Sequence, residues 1–207
     1  MYRIYPTLLN TFSLFLNEKT NSQGEVMVKL EDLLDQINRV RKPTTEAQQK
    51  GINFEKAVTT GDLENLFQES VIEKTRALLP AKYKTQVYSE AIYKNCQIYG
   101  YVDILGGNKA FDLKSTRAYS PNRFALNHQN LYLLGLQKWG VTSLDYIITD
   151  FTEVYQESYS LNSYDFSPLF KEIDLFVDFL QEHRKLIRDK KIFGISSKGD
   201  ENQLSLF

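Results

Sequence analysis

Residues 99–116 read YGYVDILGGNKAFDLKST. Two short apolar runs flank Gly106-Gly107-Asn108, the pattern of two strands joined by a tight turn. The first run carries Asp103, and the second carries Asp112 and Lys114 with Leu113 between them. Side chains alternate along a strand, so Asp112 and Lys114 leave one face while Leu113 points into the core. Two carboxylates and an ammonium on one sheet face are costly to desolvate unless they bind something. A divalent cation and a phosphate would satisfy all three.

Working outward, alternation begins at Lys84 and predicts strands at about 84–94, 97–105 and 109–114. Upstream the pattern is helical. Thr7 is placed to cap a helix over 8–16, and apolar spacing predicts another over 29–41, closed by Pro43. Thr45 with Gln48 is a capping-box signal for a helix reaching about Thr60. Gly61 stops it, and Asp62 is placed to cap a further helix to about Leu79. Gly51 lies inside the capping-box helix, where glycine costs about 1 kcal/mol against alanine, so something passes close by. Glu55 is one turn on, nearly on the same face; by itself it reads as a solvated helix carboxylate, and only the Asp112-Leu113-Lys114 strand downstream brings the site reading level with that one.

Downstream, 117–122 is a loop flanked by Arg117 and Arg123, which suit phosphate, though solvated surface is the commoner fate of such residues. A helix is expected over 123–138, ended by Gly140. The near-continuous apolar run 144–149 predicts a central strand, and the alternating run 154–161 a peripheral one. The 123–138 crossover would make one strand pair parallel. Ser167 caps, with Pro168 first, a helix within 166–190 whose stripe is Leu169, Ile173, Phe176, Leu180 and Ile187. The expected fold is mixed α/β (α+β): a central mixed sheet of about five strands flanked by helices. One domain over 1–192 follows, with a helical region over 1–80, a sheet core over 84–161 and the helix over 166–190. Residues 193–202, small and polar, read as a flexible linker to 203–207.

Composition narrows the chemistry. The 207 residues carry a net charge of -1, which argues against coating nucleic acid by bulk electrostatics, though not against local basic groups. No apolar run approaches the ~20 residues that cross a bilayer, and the first residues lack a signal peptide's apolar segment. A cytoplasmic location without membrane association is the expectation. Cys96 is the single cysteine, and the two histidines are His128 and His183, so a disulfide framework and a multi-histidine zinc site are excluded. His183 reads as a packing or surface histidine.

Asp103 followed by Asp112-Leu113-Lys114 resembles the D…D/E-x-K core of the PD-(D/E)XK nuclease superfamily. Three flanking stretches resemble its RecB-type exonuclease branch: Gly51-Ile52-Asn53-Phe54-Glu55, Gly100-Tyr101-Val102-Asp103, and His128-Gln129-Asn130-Leu131-Tyr132. The branch places glutamine four residues before tyrosine. Here that position is His128, with Gln129 three before Tyr132, so either fills the place. The resemblance implies a restriction-endonuclease-like core and an Mg²⁺- or Mn²⁺-dependent deoxyribonuclease acting in replication, recombination or repair. It implies Glu55, Asp103, Asp112 and the Leu113 carbonyl as metal ligands. Lys114 would orient or deprotonate the water, or stabilise the developing oxyanion. Gln129, Tyr132 and His128, with Arg117 and Arg123, would contact DNA. Some branch members hold an iron–sulfur cluster on four cysteines, which this chain lacks. Rival readings are a catalytically inactive nuclease-fold adaptor, a sequence-specific endonuclease of the same superfamily, and a plain α/β protein.

The end of the chain, Gln203-Leu204-Ser205-Leu206-Phe207, resembles the peptide by which bacterial polymerases and repair proteins bind the sliding clamp, the DNA polymerase III beta subunit. In that motif Gln203 would seat at the pocket mouth and Leu206 and Phe207 would fill it. The resemblance implies a bacterial nucleoid setting, or a host cytoplasm for a phage-encoded chain. The other reading is that the apolar end folds back onto the domain.

Overall fold

Alternation from Lys84 and the capping box at Thr45 set most of the architecture. The computed structural model describes residues 1–195; the rest of the expected linker and the peptide 203–207 lie outside the described residues. The described residues divide into two compact units, one of 1–41, 91–99 and 166–195, the other of 42–90 and 100–165.

In the first unit, β1 (Tyr2–Ile4) runs parallel to the start of β3 (Cys96–Gly106), with Tyr2 opposite Cys96 and Ile4 opposite Ile98. Three residues are too few to display alternation, so this strand was not expected. Helix α1 (Pro6–Leu16) starts with Pro6 rather than behind a Thr7 cap, because proline's fixed φ suits the first turn. Helix α2 covers Leu30–Ile37, shorter than 29–41. Helix α6 (Ser167–Glu182) includes Ser167 instead of being capped by it. Its buried stripe holds Leu169, Ile173, Phe176 and Leu180; Ile187 is buried too, but beyond the helix end. Phe12 packs 4.9 Å from Phe176 and 5.6 Å from Phe179. His183 stacks on Phe179 at 4.2 Å, a packing histidine.

In the second unit, the capping box opens α3 (Glu46–Thr59). Thr45 Oγ1 accepts from the Gln48 amide at 3.2 Å, and Gln48 Oε1 accepts from the Thr45 amide at 2.9 Å. Asp62 caps nothing. Leu63 takes a left-handed φ of 66°, a 3-10 turn follows, and α4 runs only over Glu69–Ala77. Strands β2 (Lys84–Tyr93) and β3, which pair, are shared with the first unit. Strand β4 (Lys109–Ser115) pairs antiparallel with β3 and parallel with β5 (Ser143–Thr149), and β5 pairs antiparallel with β6 (Val154–Ser160). The sheet is mixed and six-stranded, in the order β1-β3-β4-β5-β6 with β2 on β3, consistent with a restriction-endonuclease-like core. The β4–β5 pair is the expected parallel one.

The crossover helix differs most from expectation. Only α5 (Tyr132–Leu136) is α-helical, between 3-10 turns at His128–Leu131 and Gln137–Trp139. Asparagines explain this, since their side chains compete for backbone hydrogen bonds. Asn122 sits at φ 61°, Asn127 accepts from the Gln129 amide at 3.0 Å, and Asn130 donates to the Phe124 carbonyl at 3.1 Å. Gly140, at φ 77°, ends the element.

Phe54, Ala57, Val58, Val71 and Ile72 form one cluster, joined by Leu113. Leu113 also reaches the Ile104, Phe111 and Ile147 cluster, so it does point into the core. No helix among the described residues is long and apolar enough to cross a membrane.

Candidate active site

Strands β3 and β4 keep register from Gly106↔Lys109 to Ile104↔Phe111. Beyond that pair a carboxylate enters the ladder: Asp103 Oδ2 accepts from the Leu113 amide at 2.8 Å. Asp112, beside Tyr146 of β5, is 3% exposed. Lys114 Nζ pairs with the buried Asp112 Oδ2.

The charges of Asp103, Asp112, Lys114 and Glu55 act on one another. Burial pushes the Asp103 carboxyl up to about 7; Asp112 and Glu55 push the same way, while Lys114 and the Leu113 amide oppose them. Burial also favours the neutral form of Lys114, but Asp112, Asp103 and Glu55 outweigh it and hold the ammonium above its ordinary value. Glu55 is raised by burial first and by Asp112; its Oε1 accepts from Gln86 Nε2 at 3.1 Å. Gln86 was missed by sequence reasoning. It holds a left-handed φ of 51° inside β2, which alternation does not reveal. Gly51 is where close approach was expected: a Cβ there would lie 3.0 Å from Ser115 Oγ.

The residues expected to contact DNA fall in different places. Arg117 and Arg123 are exposed, and Arg123 Nη1 donates to the Ala118 carbonyl at 3.3 Å. Tyr132 is 6% exposed, and a Cβ on Gly100 would come within 2.4 Å of its hydroxyl. His128 and Gln129 are buried, and burial drives the His128 imidazole down to about 4, so it is neutral. The loop ahead of them hangs on Glu157, which sequence reasoning also missed. Its carboxylate accepts from the Arg123 amide at 2.9 Å, the Phe124 amide at 3.0 Å and Tyr159 Oη at 2.6 Å.

Among the described residues, no three His, Cys, Asp or Glu side chains are assembled to grip a metal. The donor chemistry still fits a hard cation of the kind that takes one or two carboxylates and fills its shell with water and phosphate oxygens. Asp112, buried with Lys114 as its ion-pair partner, beside an Asp103 carboxyl destabilised as an anion is the observation that supports the fit.

No family model and no curated protein matches the chain. Among solved structures it is similar to a candidate exonuclease from Eubacterium rectale, at 11% identity and a TM-score of 0.48, covering 95% of this chain and 83% of that one. It is also similar to SSO0001, at 14% identity and a TM-score of 0.40, covering 86% and 87%. A third is Rai1 of Scheffersomyces stipitis, at 14% identity and a TM-score of 0.35, covering 87% and 60%. Likeness at these scores bears on neither activity nor substrate.

Proposed function

We propose that this chain is a divalent-cation-dependent deoxyribonuclease of the PD-(D/E)XK type, working as an exonuclease and recruited to a bacterial sliding clamp by Gln203–Phe207. The observation that carries the reading is the buried Asp112 paired with the half-buried Lys114, with the Asp103 carboxyl destabilised beside them. Clamp recruitment rests on the sequence of the last five residues alone.

Asp103 and Asp112 would hold Mg²⁺ or Mn²⁺, with the Leu113 carbonyl between the two motif residues as a backbone donor. Glu55 adds negative charge from α3, steadied by Gln86. When bound, the cation would acidify a water and neutralise phosphoryl charge. In the cation-free fold the carboxylate neighbours of Lys114 favour its ammonium form; at the site it would orient the attacking water or stabilise the developing oxyanion. Tyr132, buried against Gly100, braces the strand that carries Asp103.

The test is cleavage of DNA by the purified chain with and without Mg²⁺ or Mn²⁺. Asp112→Asn and Lys114→Met should each lower the rate by about 100-fold or more while circular dichroism stays unchanged. Undiminished cleavage by both variants would remove the assignment.

A further inference from the structure

Away from the carboxylates, a cavity of about 520 Å³ opens at the hairpin end of β3 and β4. Lys82, Lys84, Leu105, Gly106, Gly107 and Trp139 line it, and the lining holds no carboxylate. Among the described residues, neither Lys82 nor Lys84 is engaged by a hydrogen bond or an ion pair, and both are exposed. Trp139 is 50% exposed, a large apolar ring left in water. Lys138 Nζ lies over that ring at 5.2 Å, adding a third positive charge. Gly106 packs closely on the segment that carries Lys82, since a Cβ there would meet Pro80 at 2.2 Å and the Lys82 carbonyl at 3.0 Å. Gly107 has nothing within 4 Å of where its Cβ would be, so the rim is open.

We infer that this cavity is a binding site for single-stranded DNA, with a base stacked against Trp139 and the flanking phosphates on Lys82 and Lys84. Three lysines without a carboxylate stand out on a chain whose net charge is -1, and they complement a polyanion. An indole beside them offers the other half of single-strand recognition, because every unpaired base presents a π-face. A duplex hides those faces in its own stack, so phosphate attraction alone would bring it here. The volume falls in the range of roughly 300–1,000 Å³ typical of small-molecule sites, enough for a base and its sugar. Leu105 lies two residues along β3 from Asp103, about 7 Å at strand rise, so a strand held here is within reach of the carboxylates. The proposed nuclease function supplies the reason a DNA strand comes to this face; the binding itself needs no cleavage.

Trp139 is the sole tryptophan, so its emission reports the cavity directly. The full chain in EDTA is titrated with oligodeoxythymidylate and, separately, with a blunt duplex of equal length. The single strand should quench emission saturably and the duplex should not. Lys82→Ala with Lys84→Ala should lower the log–log salt slope of binding by about 1.4, the share of two phosphates on a single strand. Trp139→Ala, followed by anisotropy of a labelled oligonucleotide, should weaken binding about 5- to 150-fold. An unchanged emission at oligonucleotide saturation, equal quenching by duplex, or an unchanged salt slope would each overturn the site. Mg²⁺-dependent cleavage without quenching would sink this inference alone. Quenching without cleavage under any divalent cation would sink the proposed function alone.

Discussion

Replacing Asp103 with asparagine should stabilise the cation-free protein at alkaline pH. In the fold its carboxyl is raised from 3.8 to about 7, chiefly by burial and next by Asp112. An acid whose folded pKa lies above its unfolded value favours the fold below the unfolded pKa, and that advantage disappears as pH rises through the folded one. Ionisation of Asp103 therefore drains stability between about pH 4 and pH 7, and the loss is complete at about pH 8. A displacement of this size corresponds to at most about 4 kcal/mol. Asparagine keeps an oxygen for the Leu113 amide, now 2.8 Å away, but its own NH₂ needs an acceptor, for which Asp112 is the candidate. A net gain of about 1–3 kcal/mol is expected at about pH 8, or roughly 3–10 °C in Tm for a chain of this length. At about pH 4 the ionisation gain is nearly absent and the cost of the extra NH₂ remains, so the variant should melt at or below wild type. The assay is thermal and urea unfolding in EDTA at both values, with Mn²⁺ added in a parallel series. Mn²⁺ should raise the wild-type Tm at the alkaline value and leave the variant unmoved. A variant less stable than wild type there, or a difference independent of pH, would refute the electrostatic account of the site.

Glu157→Gln should weaken the hold on residues 119–124, because a neutral amide accepts less strongly from the two amides and the tyrosine hydroxyl. A destabilisation of about 1–3 kcal/mol is expected, with faster amide exchange at Arg123 and Phe124 and little change elsewhere. Gly135→Ala should cost about 1–3 kcal/mol or more by overpacking, since the new Cβ would lie 2.4 Å from Ser89 Oγ and 2.5 Å from the Glu90 carbonyl; unfolding in urea reads it. Deleting residues 203–207 should abolish capture by immobilised bacterial clamp while leaving cleavage of free DNA at its original rate. Retained capture would return the apolar end of the chain to its structural reading.

What was legible in the sequence tracks how local the physics is. The Asp103, Asp112 and Lys114 set sits within one hairpin, and period-two alternation places it; the Thr45–Gln48 box is complete within four residues and formed as read. The β4–β5 parallel pair followed from strand, crossover and strand in order. The crossover differs because apolar spacing over 123–138 outweighed Asn127 and Asn130, whose side chains take backbone bonds a helix would need, and the left-handed Asn122 just ahead of them. Strand β1 was invisible because a three-residue strand has no period. The Gln86 bond to Glu55 depends on a left-handed residue inside a strand, and no propensity announces it. The cavity at Trp139 draws on 82–87, 105–107 and 139, stretches whose meeting only the folded chain displays. Sequence alone assigns Asp103 a charge of minus one. The fold, by burying it beside Asp112, makes that charge conditional, and under the proposed function a conditional charge would let the binding of a cation and the loss of a proton become one event.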